Sequence, residues 1–226
     1  MLLPVALLAV TVIAGCGGSG KNDQAAPNDS IDLQPQVWTN NDSTVYGLCG
    51  DESAMNTLQL ITDNGDTLNL SVNEAQDQNH VLGGYNVGDR MAVLTNKERT
   101  AATLVINQST LLGNWVMPNP IDGSEETGIS IREGGVAESI DQAAIVYRTW
   151  RISNGLLEIV SVREGGTEEE ETNLYEILSL GNDSLVFKTV GKPREDEETF
   201  RYSRQQKHER IEKVKLEESS FDDFMM

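Results

Sequence analysis

Few side chains in this sequence can do chemistry, and their spacing narrows what that chemistry could be. His80 and His208 are the only histidines. One falls in a loop of the first half and one in the tail, so neither a histidine-based metal triad nor a Ser-His-Asp site is supported. Cys49 sits between Leu48 and Gly50 on an expected strand edge, with no base near it in sequence, and reads as a small buried residue. The acidic run Glu168 to Glu171 lacks the alternating oxygen ligands and fixed glycine of a calcium loop, and reads as a solvated hairpin tip. No metal site and no cofactor site is expected. A chain with 36 acidic residues can still bring two carboxylates together in space for glycoside hydrolysis, so a carboxylate-dependent envelope hydrolase or carbohydrate-processing protein stands as the alternative to a non-catalytic role.

Cys16 has a different context. From Leu2 to Ile13 the chain is apolar and uncharged, too short for the roughly 20 residues that a spanning helix needs. It then reaches Ile13, Ala14, Gly15 and Cys16, which resembles a lipobox, the recognition sequence of bacterial lipoprotein processing. The resemblance implies that residues 1–15 are a signal peptide and that Cys16 becomes the lipid-bearing first residue. Its thiol would take a diacylglyceryl thioether, and acyl chains such as palmitate would hold the protein on the membrane; two or more chains suffice. An ordinary secretory signal shares the apolar core and small residues, but no comparable cleavage site follows. The usual basic residues before the run are missing, which fits a natural start upstream. Gly17 is not an inner-membrane retention residue of the Asp kind, which favours the outer membrane, with the protein facing the periplasm or the cell surface.

Composition agrees with an envelope address. The net charge is −19, none of it from the apolar segment, so nucleic acid is not an expected partner and anionic lipid would repel the chain. With Cys16 lipidated, Cys49 has no intramolecular disulfide partner. Residues 16–44 form an expected tether, since Gly17 to Gln36 is poor in large apolar residues and cannot bury enough surface to fold. Structure is expected to start at Val37 and Trp38 or at Val45. Four tripeptides, Asp29-Ser30-Ile31, Asp42-Ser43-Thr44, Asp66-Thr67-Leu68 and Asp183-Ser184-Leu185, resemble the acceptor of a protein O-glycosylation system of some Gram-negative phyla. That resemblance implies sugar on Ser30, Ser43, Thr67 and Ser184. Asp-Ser and Asp-Thr are also ordinary turn starts.

The positioning elements are all-β. Hydrophobic periodicity is two, and Asn64-Gly65 between the runs Thr57 to Thr62 and Thr67 to Val72 is a strong hairpin signal, with positive φ expected at both central residues. With Tyr46 to Cys49, Arg90 to Leu94 and Ala101 to Asn107 this gives five strands in residues 45–110, and a longer connection between the third and fourth. That pattern suits a small, partly open barrel of OB-like shape, though without the stacking aromatics and basic groove of a single-strand binder. Residues 111–204 contain eight further strand-like runs, separated by turns such as Ser153-Asn154-Gly155, and read as an up-and-down barrel.

Gly113-Asn114-Trp115 stands at the entrance to those eight runs. Position and motif together resemble the lipocalin-like domain of many Gram-negative lipoproteins. The resemblance implies that Trp115 packs across the closed end of the barrel beneath an arginine of the last strand, either Arg201 or Arg204, beside Gly113. It also implies a membrane-anchored ligand-binding or interaction module, with a small apolar molecule in the barrel or an unidentified protein partner on its loops. In residues 205–226, alternating charge and the pair Ile211 and Val214 suggest a short helix around Gln206 to Lys215.

Overall fold

The computed structural model describes residues 42–118, 126–141, 144–165, 169–191 and 197–205. Cys16, the tether up to residue 41 and the expected C-terminal helix lie outside them. Two β assemblies follow each other along the chain, and no helix among the described residues is long and apolar enough to cross a membrane.

The first contains β1 (Val45–Cys49), β2 (Thr57–Thr62), β3 (Thr67–Ser71), β4 (Val81–Leu82), β5 (Arg90–Thr95) and β6 (Ala102–Asn107), with α1 (Asn73–Asp77) between β3 and β4. Its strand order is β3-β2-β1-β5-β6-β4. The sheet bends until its ends approach. Ser71 at the end of β3 makes an isolated parallel bridge to Ala101, and its N–H donates to Thr100 O at 2.9 Å. The five expected strands therefore curl into a partly open barrel. The two-residue β4 was not foreseen: it lies parallel to β6 through Val81↔Val105 and Leu82↔Ile106, and two residues are too few to show a period. The expected positive φ at both Asn64 and Gly65 is not what forms. Only Gly65 has it, and the turn closes through Gly65 N–H on Thr62 O at 2.9 Å, because Thr62 and Asp66 pair outside it.

Period two in these strands feeds two different cores. Cys49, Leu58, Leu60, Leu70, Val72, Met91, Val93, Ala102 and Val105 fill the curl of the sheet. The alternate residues Ala92 and Ile106, with Leu82, join the core of the second assembly.

That assembly is a closed antiparallel barrel of eight strands: β7 (Gly113–Pro118), β8 (Glu126–Arg132), β9 (Val136–Ile140), β10 (Ile145–Ser153), β11 (Leu156–Arg163), β12 (Glu170–Leu180), β13 (Ser184–Thr189) and β14 (Thr199–Arg204). Consecutive strands pair, and β14 closes on β7 through Ser203↔Val116 and Arg204↔Trp115. The eight-stranded lipocalin-like architecture expected from sequence is the one observed. Closure removes every edge from the sheet, so all eight strands keep their backbone partners. One end has tight turns. Between Ser153 and Leu156, which pair directly, Asn154 and Gly155 take φ of 49° and 73°, the mirror-image turn that matches strand twist. Strands β7, β9, β11 and β13 run from that end toward the other.

The first assembly packs on the tight-turn end. Gly83 N–H donates to Leu180 O at 3.0 Å, and the Tyr46 hydroxyl reaches Ile152 O. Asp42 Oδ1 accepts from Asn154 N at 2.8 Å, and Asn154 Oδ1 accepts from Ser43 N at 3.0 Å. Asp42 Oδ2 accepts from the Tyr46 hydroxyl at 2.7 Å. Burial on its own would raise the Asp42 pKa, but hydrogen bonds from Thr44, Tyr46 and Asn154 outweigh it and hold the carboxyl below its ordinary range.

A depressed folded pKa fixes the sign of a pH effect. The carboxylate contributes its stability in full above its unfolded value of about 3.9, and loses it as pH falls through the lower folded value. Asp42→Asn should lower the melting temperature at pH 7, and the gap from the unsubstituted protein should close by about pH 2 to 3. Scanning calorimetry across that range checks it; a gap independent of pH would mean that the charge on Asp42 does not matter.

Candidate functional site

The barrel has two chemically distinct ends, and its closed end is built around one indole ring. Asn107, fully buried, caps α2 (Gln108–Leu111) by accepting from Thr110 N–H at 3.0 Å. The helix ends four residues before Trp115, whose indole N–H donates to Leu111 O at 2.8 Å while the ring is wholly buried. Over the ring lies the Arg204 guanidinium, its Cζ 4.2 Å from the centroid. Its nitrogens are consumed by backbone carbonyls: Nη1 donates to Leu112 O at 2.7 Å, Nη2 to Thr110 O at 2.8 Å, and Nε to Asn182 O. Gly113 completes the arrangement. Its φ of 137° is one that side chains rarely adopt, and a Cβ there would collide with Arg204 Nη1.

Arg201 does not take part. It pairs with Val186 on the exposed face of β14, since Arg201 and Arg204 are three residues apart and a strand turns odd and even positions to opposite sides.

Toward the other end the interior changes character. Cross-strand neighbours share a face, which places Ile177, Phe187 and Phe200 in one row and Leu180, Leu185 and Tyr202 in the row nearer the closed end. The aromatic rings meet edge to face or tilted: Tyr175 to Phe187 at 4.9 Å, Phe187 to Phe200 at 5.5 Å, and Phe187 to Tyr202 at 5.4 Å. Phe187 and Tyr202 are buried, whereas Tyr147, Tyr175 and Phe200 are half-buried, so the rings become more accessible away from Trp115. Buried hydroxyls of Thr127, Ser161 and Thr189 lie among the strands of this part. Three phenols gather here. Burial, then Tyr147, then Glu198 and Glu171 raise the pKa of Tyr175 to about 12. Burial, then Tyr147 and Tyr175, raise that of Tyr202 further. Tyr175 and Tyr202 remain neutral near pH 7, able to donate as well as accept hydrogen bonds.

The remaining chemistry-bearing residues stay dispersed. His80 is exposed, with Nδ1 3.2 Å from Thr103 O, and His208 lies outside the described residues. Cys49 is buried within the first assembly and its Sγ lies 3.2 Å from Ser53 Oγ. Among the described residues, no group of three or more histidine, cysteine or carboxylate side chains could hold a metal ion. Asp42 and Asp63 have lowered pKa values, the latter through hydrogen bonds from Arg90, which is opposite to what a general acid needs. Part of the acidic run lies outside the described residues; Glu171 within it meets Arg163 at 3.2 Å. Of the four glycosylation candidates, Ser43, Thr67 and Ser184 are exposed, and Ser30, like Cys16, lies outside. Sequence reasoning missed the aromatic interior. Its signal was present in the alternation of Phe200 with Tyr202 and of Leu185 with Phe187, but which strand faces touch depends on closure of the barrel.

The closed end makes a quantitative demand. Trp115→Ala should cost about 3–5 kcal/mol in denaturant unfolding, and Gly113→Ala about 1–3 kcal/mol through strain and displacement of Arg204. Arg201→Ala should change stability by less than about 0.5 kcal/mol. Equal losses for Arg201→Ala and Arg204→Ala would show that the guanidinium over the ring is not what holds this end.

Comparison with known proteins agrees with this geometry. Residues 107–205 match a protein-family model described as lipocalin-like. No curated protein matches the chain. Among solved structures, the crystal structure of a lipocalin-like protein from Bacteroides thetaiotaomicron VPI-5482 is 31% identical, with 42% of this chain and 97% of that chain covered and a TM-score of 0.36. The matched segment begins at the cap of α2 and ends one residue beyond Arg204, and so contains the whole barrel. Through residues 107–205, this chain belongs to the lipocalin-like family.

Proposed function

We propose that this protein is a lipid-anchored envelope lipoprotein whose barrel acts as a non-catalytic ligand-binding module, taking a small, largely apolar molecule into the half of its interior away from Trp115. One observation carries the reading: the ladder of aromatic rings passes from fully buried near the closed end to half-buried beyond it. An eight-stranded barrel is wide enough either to fill with its own side chains or to hold one small ligand. Apolar walls with a few convergent hydroxyls are the common composition of small-molecule sites. Packing of the first assembly on the closed end leaves entry to the opposite end.

Anchoring supports the same role. Thioether-linked acyl chains on Cys16, followed by a tether up to residue 41, would hold the barrel near a membrane while letting it turn to meet its ligand or an envelope partner.

Uptake is testable with the neutral fluorophore N-phenyl-1-naphthylamine. It should bind saturably with enhanced emission, and an arginine at Phe200 should weaken binding at least tenfold, about 1.4 kcal/mol. Tyr175→Ala serves as a second variant should the arginine prevent folding, with melting curves recorded for both. Unchanged binding in a folded variant would exclude the barrel interior. The anchor has its own check: Cys16→Ser should abolish palmitate labelling and release the protein from membranes, and retention after a salt wash would refute the lipoprotein reading.

A further inference from the structure

Among the described residues, the rim above the aromatic ladder carries two carboxylates and one guanidinium. Register places Tyr147, Ser161 and Glu171 in one cross-strand row, through Tyr147↔Ser161 and Ser161↔Glu171. A second row contains Tyr175 and Thr189, and Thr189 N–H donates to Glu198 O at 2.9 Å, so Glu198 continues that row on β14's side. Ser161 is 6% and Thr189 4% exposed, and Phe187, two residues from Thr189 on the same strand face, lies in the barrel core. Both rows therefore face inward, and their outermost members are the carboxylates Glu171 and Glu198. Among the described residues one cation shares this rim: Arg163, which by its pairing with Ile145 lies on the same face as Ser161, meets Glu171 at 3.2 Å. It offsets one of the two negative charges. The other inward guanidinium, Arg204, is committed to carbonyls at the closed end.

We propose that the barrel selects amphiphiles whose polar end is positively charged, an amine or a quaternary ammonium on an apolar chain, over those that end in a carboxylate. This rests on the barrel interior being the binding site. Under the rim, the half-buried faces of Tyr175 and Phe200 offer the negative quadrupole to which ammonium groups bind, with ring centroids 6.1 Å apart. Glu171 and Glu198 are both close enough to Tyr175 to oppose its ionisation, after burial and Tyr147. A carboxylate brought to the same place meets that field with the wrong sign. An ammonium held at the exposed rim keeps part of its hydration, which limits its desolvation cost. The chain's net charge of −19 acts in the same direction at long range, concentrating cations and repelling anions before contact.

Three probes with one apolar chain separate the rim from the barrel: decyltrimethylammonium, decanol and decanoate, each titrated below its micellar concentration into the full chain by calorimetry. The ammonium should bind at least about tenfold more tightly than decanoate, with decanol between them. In the doubly substituted Glu171→Gln, Glu198→Gln protein the preference should fall below about threefold while decanol affinity is unchanged, which also shows that the fold survives. Equal or tighter binding of decanoate would overturn the charge selection and leave the barrel site standing. A preference that persists in the double variant would also overturn it, since net charge and not the rim would then be the cause. Failure of all three probes to bind would remove the barrel reading and this one together.

Discussion

The Arg204 guanidinium over the Trp115 ring is the interaction on which the rest of the molecule depends. A barrel closes only if its last strand finds its first, and β14 meets β7 through just two residue pairs, one of them Arg204↔Trp115. That short seam is reinforced from inside. Cation–π attraction contributes on the order of 0.5–2 kcal/mol, but the larger effect is geometric, because the same guanidinium satisfies carbonyls at Thr110, Leu112 and Asn182. These belong to α2, to the entrance of β7 and to the turn between β12 and β13. One planar group therefore ties together three pieces of backbone that are far apart in sequence. Lysine, a single point donor, could not reproduce it.

The seam also decides the polarity of the barrel. Once Trp115 seals one end and α2 lies beneath it, the first assembly has a finished surface to pack against. Its strands are arranged for that use: alternate residues of β5 and β6 are divided between the interior of the curled sheet and the core shared with the barrel. Ser43, Asp42 and Tyr46 then bind the Asn154 turn and the Ile152 carbonyl with hydrogen bonds, which gives the contact direction as well as area. With that end occupied, the half-buried Tyr147, Tyr175 and Phe200 lie toward the opposite end.

Electrostatics act on this frame without determining it. The excess of 19 negative charges does not specify a β-barrel. It sets what approaches. Among the described residues, a minority of the acidic side chains are neutralised locally, as where Arg151 meets Glu158 at 2.7 Å and Lys188 meets Glu176 at 3.0 Å on outward faces. Such exposed pairs contribute little to stability. At the inward rim Glu171 and Glu198 are exposed, above the half-buried rings of Tyr175 and Phe200.

Much of this architecture was legible in residues alone. Period-two alternation located thirteen of the fourteen strands among the described residues to within a few residues, because one face of each strand must be buried and the side-chain period is fixed by the backbone. Gly113 and Trp115 were legible through resemblance: Gly-x-Trp alone is common by accident, and its position before eight strand-like runs is what marked it. The two-residue β4 and the short α2 left no period to read. The choice between Arg201 and Arg204 could not be made from sequence, since it depends on the register between strands ninety residues apart, and a one-residue slip exchanges the faces. The ladder from Tyr202 to Tyr175, and the carboxylates Glu171 and Glu198 above it, were hidden for the same cause. Sequence determined that the chain alternates, turns at Asn154-Gly155 and carries a tryptophan to close a barrel; closure itself decided which aromatics face one another and which acids share their interior, because those neighbours are set by shear and register across strands.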